Sequence, residues 1–170
     1  IYVDVRNMGV RQLLDFVACI MVFEKDIALN SGLDRYNNYF AMGTSEADLT
    51  QQRLININTN KEFQMFIRRY RQDDLRYSGI NFDSIHKFGS LELRFLGGQA
   101  KPTDGMKWIE FYDNMKNMVM AGVNFDEMFQ DISAIGTHNI IAKFMPPFPL
   151  NDEHVLEGVR NAQDFVFGLH

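Results

Sequence analysis

From Leu91 to Phe95 the chain changes polarity at every residue: Leu91, Leu93 and Phe95 on one side, Glu92 and Arg94 on the other. Successive side chains of a β-strand point to opposite faces, so period two over such a stretch predicts a half-buried strand. Its apolar face has to be covered by other elements. Its charged face is left to solvent or to a ligand. Gly97-Gly98 ends the run.

A second alternating stretch stands at the start, with Ile1, Val3 and Val5 on one face and Tyr2, Asp4 and Arg6 on the other. The period then becomes helical. Leu13, Val17, Ile20, Glu24 and Ile27 form one stripe of a helix predicted over Val10–Leu29, widened by Leu14, Met21 and Phe23, with Asn30 or Gly32 in a left-handed position as its stop. Thr103–Ala121 reads as a helix with Trp108, Tyr112, Met115 and Val119 on one face and Gly122 as its stop. Asn151-Asp152 opens a last helix carrying Val155, Val159, Ala162 and Val166. Between these, Leu33–Gly43 reads as loop, Leu54–Asn58 as a short strand, and Thr59 to Gln72 as a helix begun by a capping box. Tyr77–Phe82 reads as extended or a turn, and Asp126–Ala134 and Asn139–Met145 as short helical pieces before the Pro146-Pro147-Phe148-Pro149 break. Mixed strands and helices with few βαβ-like units imply an α+β fold: a largely antiparallel sheet with helices packed on one face.

The length of 170 residues fits one domain. The chain opens on Ile1-Tyr2-Val3-Asp4-Val5 without a Met and already inside a strand, so it is expected to be a cut product or the C-terminal part of something longer. A net charge of −5 provides neither a basic nucleic-acid footprint nor a polybasic membrane signal. The longest apolar run, Phe16–Phe23, is eight residues, well below the roughly 20 of a membrane span. With no signal peptide in view either, a cytoplasmic protein is the expectation. Cys19, the single cysteine, lies inside that run, which implies a buried, inert thiol and excludes an intrachain disulfide or a cysteine zinc site.

Glu92 and Arg94 are the residues on which chemistry is expected. Two apart on one strand, they project from the same face about 7 Å apart. A carboxylate is a hard ligand suited to magnesium, and a guanidinium grips phosphate or carboxylate with paired hydrogen bonds. An ordinary ion pair on a solvated sheet face is the plainer reading of the same residues. Other features point to structure. Arg68, Arg69 and Arg71 lie opposite Phe63, Ile67 and Tyr70 on a solvated helix face; His86, His138, His154 and His170 have no metal spacing. Met115, Met118 and Met120 fill a core, and Trp108 packs under the sheet. No Walker-type phosphate loop and no Gly-x-Ser-x-Gly elbow occurs.

The order of motifs around these two residues resembles a family. Arg76-Tyr77-Ser78-Gly79-Ile80-Asn81-Phe82, then Gly89-Ser90-Leu91-Glu92-Leu93-Arg94, then Gly97-Gly98 and a helix bearing Trp108, are similar to the core of the amidoligase family of phages, bacteria and fungi. Asp34-Arg35-Tyr36-Asn37-Asn38-Tyr39 resembles that family's Ser-Arg-x-x-x-Tyr segment, and Tyr2-Val3-Asp4 the end of its His-x-His-x-Asp strand. The resemblance covers residues 1–123, with 124–170 as a C-terminal helical extension. Tyr2 stands where the second His would fall, and Ser90 where the family has Thr.

The resemblance implies the catalytic half of a glutamine-synthetase-like fold, as the C-terminal portion of a longer ligase. It implies an ATP- and magnesium-dependent carboxylate–amine ligase that forms an amide bond through an acyl phosphate, acting on small-molecule or peptide carboxylates and amines. On this expectation Glu92 is the metal ligand and Arg94 grips the transferred phosphate. Arg76 and Arg35 contact substrate carboxylate or nucleotide, Asn81 orients substrate, and Asp4 reaches the same cavity if its strand neighbours that of Glu92. The alternative is a non-catalytic structural or interaction module, phage or bacterial, that keeps the scaffold.

Overall fold

Among the described residues the polarity pattern is met by a small sheet and four main helices. A computed structural model of the protein describes residues 1–31, 61, 65, 78–96, 102–123, 143, 144 and 146–167. In chain order the elements are β1 (Tyr2–Asp4), α1 (Val10–Asn30), β2 (Ile80–Asn81), α2 (Asp83–Phe88), β3 (Ser90–Leu93), α3 (Pro102–Met120) and α4 (Asp152–Phe167). The strand order is β1-β3-β2, and β3 runs antiparallel to both neighbours. The class is therefore α+β, with an antiparallel sheet.

Pairing fixes which side chains share a face. Tyr2 lies opposite Glu92, Asp4 opposite Ser90, and Asn81 opposite Glu92 on the other side. Residues directly opposite one another project to the same side of a sheet. Tyr2, Asp4, Asn81, Ser90, Glu92 and, by alternation, Arg94 thus make one polar face. Ile80, Leu91, Leu93 and Phe95 on the other face are at most 1% exposed and join the helices in a single core. Complete burial of each of these leucines contributes about 1.5–3 kcal/mol.

Helix α1 explains its own apolar run: every residue from Leu13 to Glu24 is buried, so this helix is covered all round rather than along one stripe. Gln12 accepts the Gly9 backbone N–H at 2.9 Å and closes its first turn. In its last turn the left-handed position is not taken by Asn30, and the Gly32 alternative lies outside the described residues. Asn30 is still helical, Ser31 has φ −76°, and the stop is made by side chains: the Ser31 hydroxyl donates to Ala28 O at 2.8 Å and the Asn30 amide to Asp26 O at 2.8 Å. Helix α3 ends as the sequence indicated. Gly122 has φ +94°, its N–H bonds Val119 O, and Val123 N–H bonds Met118 O, which satisfies two end carbonyls.

Helix α4 runs antiparallel along α1. Its first turn is capped by Asn151 Oδ1, which accepts the N–H groups of Glu153 and His154. The buried Asp26 carboxylate of α1 holds this end, accepting Asn151 N–H at 3.0 Å and the His154 Nδ1–H at 2.6 Å. Farther along, Lys25 pairs with Glu157 at 2.7 Å. Trp108 is buried in the same core as the apolar face of the sheet. Its ring stacks on Phe148 with centroids 5.0 Å apart, and Phe111 meets both rings edge-on. The Pro-rich break delivers Phe148 to that position.

Candidate functional site

The polar sheet face is built around Glu92. Strand β2 delivers Asn81, whose Oδ1 accepts the Asp83 N–H at the start of α2; this fixes the amide so that Nδ2 donates to Glu92 Oε2 at 2.6 Å. Arg94 Nη2 donates to the same oxygen at 2.8 Å. The ladder continues to Arg94, whose backbone N–H bonds Gly79 O at 2.7 Å, so its side chain starts from a fixed position.

Charge and burial compete at Glu92. Burial raises its carboxyl pKa, but the hydrogen bonds from Arg94 and Asn81 and the Arg94 charge, with a lesser contribution from the Tyr2 hydroxyl, outweigh it and leave it below its ordinary value. In return the Glu92 charge raises the Tyr2 phenol. Glu92 therefore stays ionised through neutral pH and anchors Arg94. The side chains retain 19% and 27% exposure, so the pair borders solvent instead of lying sealed in the core.

Asp4 shares this face but turns to Arg6, with a 2.7 Å contact to Nη2 and a 3.0 Å contact to Nε. Those hydrogen bonds hold its carboxyl well below the usual range. Its main-chain oxygen accepts from Lys116 Nζ of α3 at 2.6 Å, tying that helix to the sheet edge. The structure thus brings Glu92, Arg94 and Asn81 into one contact set, with Asp4 one register step away on the neighbouring strand. Arg76 and Arg35 lie outside the described residues.

Magnesium is bound with one or two carboxylates while most of its shell remains water and phosphate. The ionised Glu92 carboxylate suits one such ligand. Among the described residues no group of three His, Cys, Asp or Glu side chains comes together, so no cage made wholly by them exists. Cys19 stands apart from this face: it is buried, and burial with the Asp15 charge pushes its thiol pKa far up.

Two exposed rings complete the face. Tyr2 is 60% and Phe88 67% exposed, and their centroids are 6.4 Å apart in an edge-on arrangement. Phe88 ends α2, and Gly89 follows at φ +67°, a left-handed cap that turns the chain straight into β3. Sequence reading passed over both rings. The signal available was the alternation that sets Tyr2 on the side of Asp4; nothing local marked α2, which is six residues long.

Among the described residues no helix is long and apolar enough to cross a membrane. No family model matches the chain, and no curated protein or solved structure matches it either.

Proposed function

We propose that the protein is an ATP- and magnesium-dependent carboxylate–amine ligase, or the C-terminal portion of one, with the polar sheet face as its catalytic surface. The observation that carries the reading is the Glu92–Arg94 pair: a guanidinium anchored on an ionised carboxylate, braced by Asn81, on the polar face of an antiparallel sheet. The motif order around that pair supports the same reading, including a glutamine-synthetase-like arrangement of the catalytic half.

The chemistry is a two-step condensation. An oxygen of the substrate carboxylate attacks the terminal phosphorus of ATP, the bond to ADP breaks, and an acyl phosphate forms. The amine nitrogen then attacks the acyl carbon, phosphate departs, and the nitrogen gives up a proton; splitting the reaction so replaces one hard step by two easier ones. Magnesium, when bound, neutralises phosphate charge. Arg94 offers fixed positive charge where negative charge accumulates on the transferred group, and a preorganised donor costs no rearrangement during reaction. Glu92 holds Arg94 through Oε2 and is the residue that would hold the metal. Asn81 keeps Glu92 in place, and Arg76 and Arg35 are assigned to substrate carboxylate or nucleotide. Asp4, turned to Arg6, steers charge at the edge of the site.

A second reading is a non-catalytic interaction module that retains the scaffold. It is favoured by one observation: Glu92 and Asp4 are each matched by an arginine of the same chain, as in a finished structural network. Hydroxylamine trapping separates the two. With ATP, magnesium and a panel of amino-acid and peptide carboxylates, the ligase forms a hydroxamate from the acyl phosphate, and Arg94→Ala abolishes it. If no carboxylate of the panel yields either ADP or hydroxamate, the module reading stands.

A further inference from the structure

All three strands of the sheet bring a side chain to Glu92. Strands β1 and β2 flank β3, so Tyr2 and Asn81, both directly opposite Glu92 in register, approach its carboxylate from opposite sides. Asn81 and Arg94 donate to a single oxygen, Oε2, at 2.6 and 2.8 Å. A carboxylate held at one oxygen can still turn about it, because its terminal torsion has broad minima. The Tyr2 hydroxyl hydrogen-bonds the same carboxylate from the β1 side. A hold from that side stops the turning. The direction of the Arg94 guanidinium then follows, since its Nη2 is bonded to the group so fixed. The Tyr2 ring has a brace of its own in Phe88, which meets it edge-on. Both rings are mostly exposed, so they fill no core and add little to stability.

We propose that Tyr2 is a positioning residue of the polar face: its hydroxyl, steadied by the Phe88 ring, fixes the plane of the Glu92 carboxylate and through it the direction of the Arg94 guanidinium. The coupling from Tyr2 to Arg94 stands on the register and the contacts of the sheet. Its consequence for a nucleotide rests on the ligase reading, in which Arg94 grips the transferred phosphate. An arginine already aimed at its target need not be ordered on binding. Loss of the Tyr2 hydroxyl therefore weakens that grip without changing any charge on the face.

The test compares the full chain with Tyr2→Phe, which removes the hydroxyl and keeps the ring, with Phe88→Ala, and with Phe88→Tyr, which keeps an edge-on ring. Three readouts are taken: a thermal melt, the Arg94 side-chain Nε–H signal by NMR, and calorimetric binding of ATP–magnesium. In Tyr2→Phe the midpoint should stay within about 2 °C of the parent, as for other surface changes. The Arg94 signal should move toward that of a free arginine and exchange faster with water. Phe88→Ala should move it part of the way, and Phe88→Tyr should restore it. ATP–magnesium should bind Tyr2→Phe about three- to tenfold more weakly, the range of one hydrogen bond. An Arg94 signal unmoved in Tyr2→Phe overturns the positioning role, and so does ATP–magnesium binding as tight as in the parent. A midpoint lowered by about 5 °C or more would make the role structural and overturn it too. If the Arg94 signal moves while ATP–magnesium fails to bind the parent, the ligase reading falls and the coupling from Tyr2 to Arg94 stands.

Discussion

Gly158 offers a test of the packing that holds the C-terminal helix against the core. It lies in α4 over the α1 backbone. A Cβ added there would fall inside the contact radius of the Val22 carbonyl oxygen and only 2.7 Å from both Met21 O and Val22 C. These are main-chain atoms of a helix buried on all sides, so no side chain can swing away. Ala is favoured over Gly in a helix by about 1 kcal/mol. Against that, forcing one extra carbon into a closed backbone contact costs about 3 kcal/mol, the upper end for overpacking. The two helices have to separate, which loosens Val155, Val159, Ala162 and Phe165, all buried at this seam. Gly158→Ala should therefore destabilise by about 2 kcal/mol and lower Tm by about 4–8 °C. Gly105 in α3 is the control, since a Cβ there meets nothing within 4 Å. Gly105→Ala should stabilise by about 0.5–1 kcal/mol and raise Tm by a few degrees. Thermal melts followed by circular dichroism read both. If Gly158→Ala also raises Tm, the close α1–α4 approach is wrong.

Three other outcomes follow from the same structure. The Glu92 carboxyl is held below its ordinary 4.5, so what its ion pair adds to stability is complete above about that pH and fades as pH falls through the lower folded value; Glu92→Gln should lack that acid limb in urea melts yet differ from the parent at pH 7 by no more than about 1 kcal/mol. His154→Ala leaves the Asp26 carboxylate buried with one of its two donors gone, so it should cost about 1–3 kcal/mol in the same melts, and an unchanged midpoint would contradict the capping network. Cys19 should resist a thiol reagent in the native protein and react fully in denaturant, whereas rapid native labelling would place it at the surface.

How much was legible in the sequence follows from how local each cause is. The alternation around Glu92 and Asp4 announces strands because the side-chain period belongs to the strand itself: the observed β1 lies within its expected stretch, and β3 overlaps its own but starts one residue earlier, at Ser90. The long helices were legible for the same reason, down to the Gly122 stop of α3. Strand pairing is not local. Nothing in Tyr2 or Asn81 declares that both stand opposite Glu92, and it is that register which makes a cluster out of residues far apart in the chain. The Asp26–His154 contact is similar: a histidine without metal spacing was set aside, yet α4 packing on α1 gives it a buried carboxylate. Helix α2 escaped notice because six residues with two large apolar side chains, Ile85 and Phe88, carry too little periodicity to stand out. The loop expected over Leu33–Gly43 and the strand expected over Leu54–Asn58 lie outside the described residues.

The account turns on whether the Glu92 face binds a nucleotide through magnesium. The direct measurement is a calorimetric titration of ATP, with and without magnesium, into the protein and into Glu92→Gln and Arg94→Ala. Saturable binding that needs magnesium and disappears in each variant is the expected result. Absence of binding to the parent protein, or binding undiminished in both variants, would contradict the site.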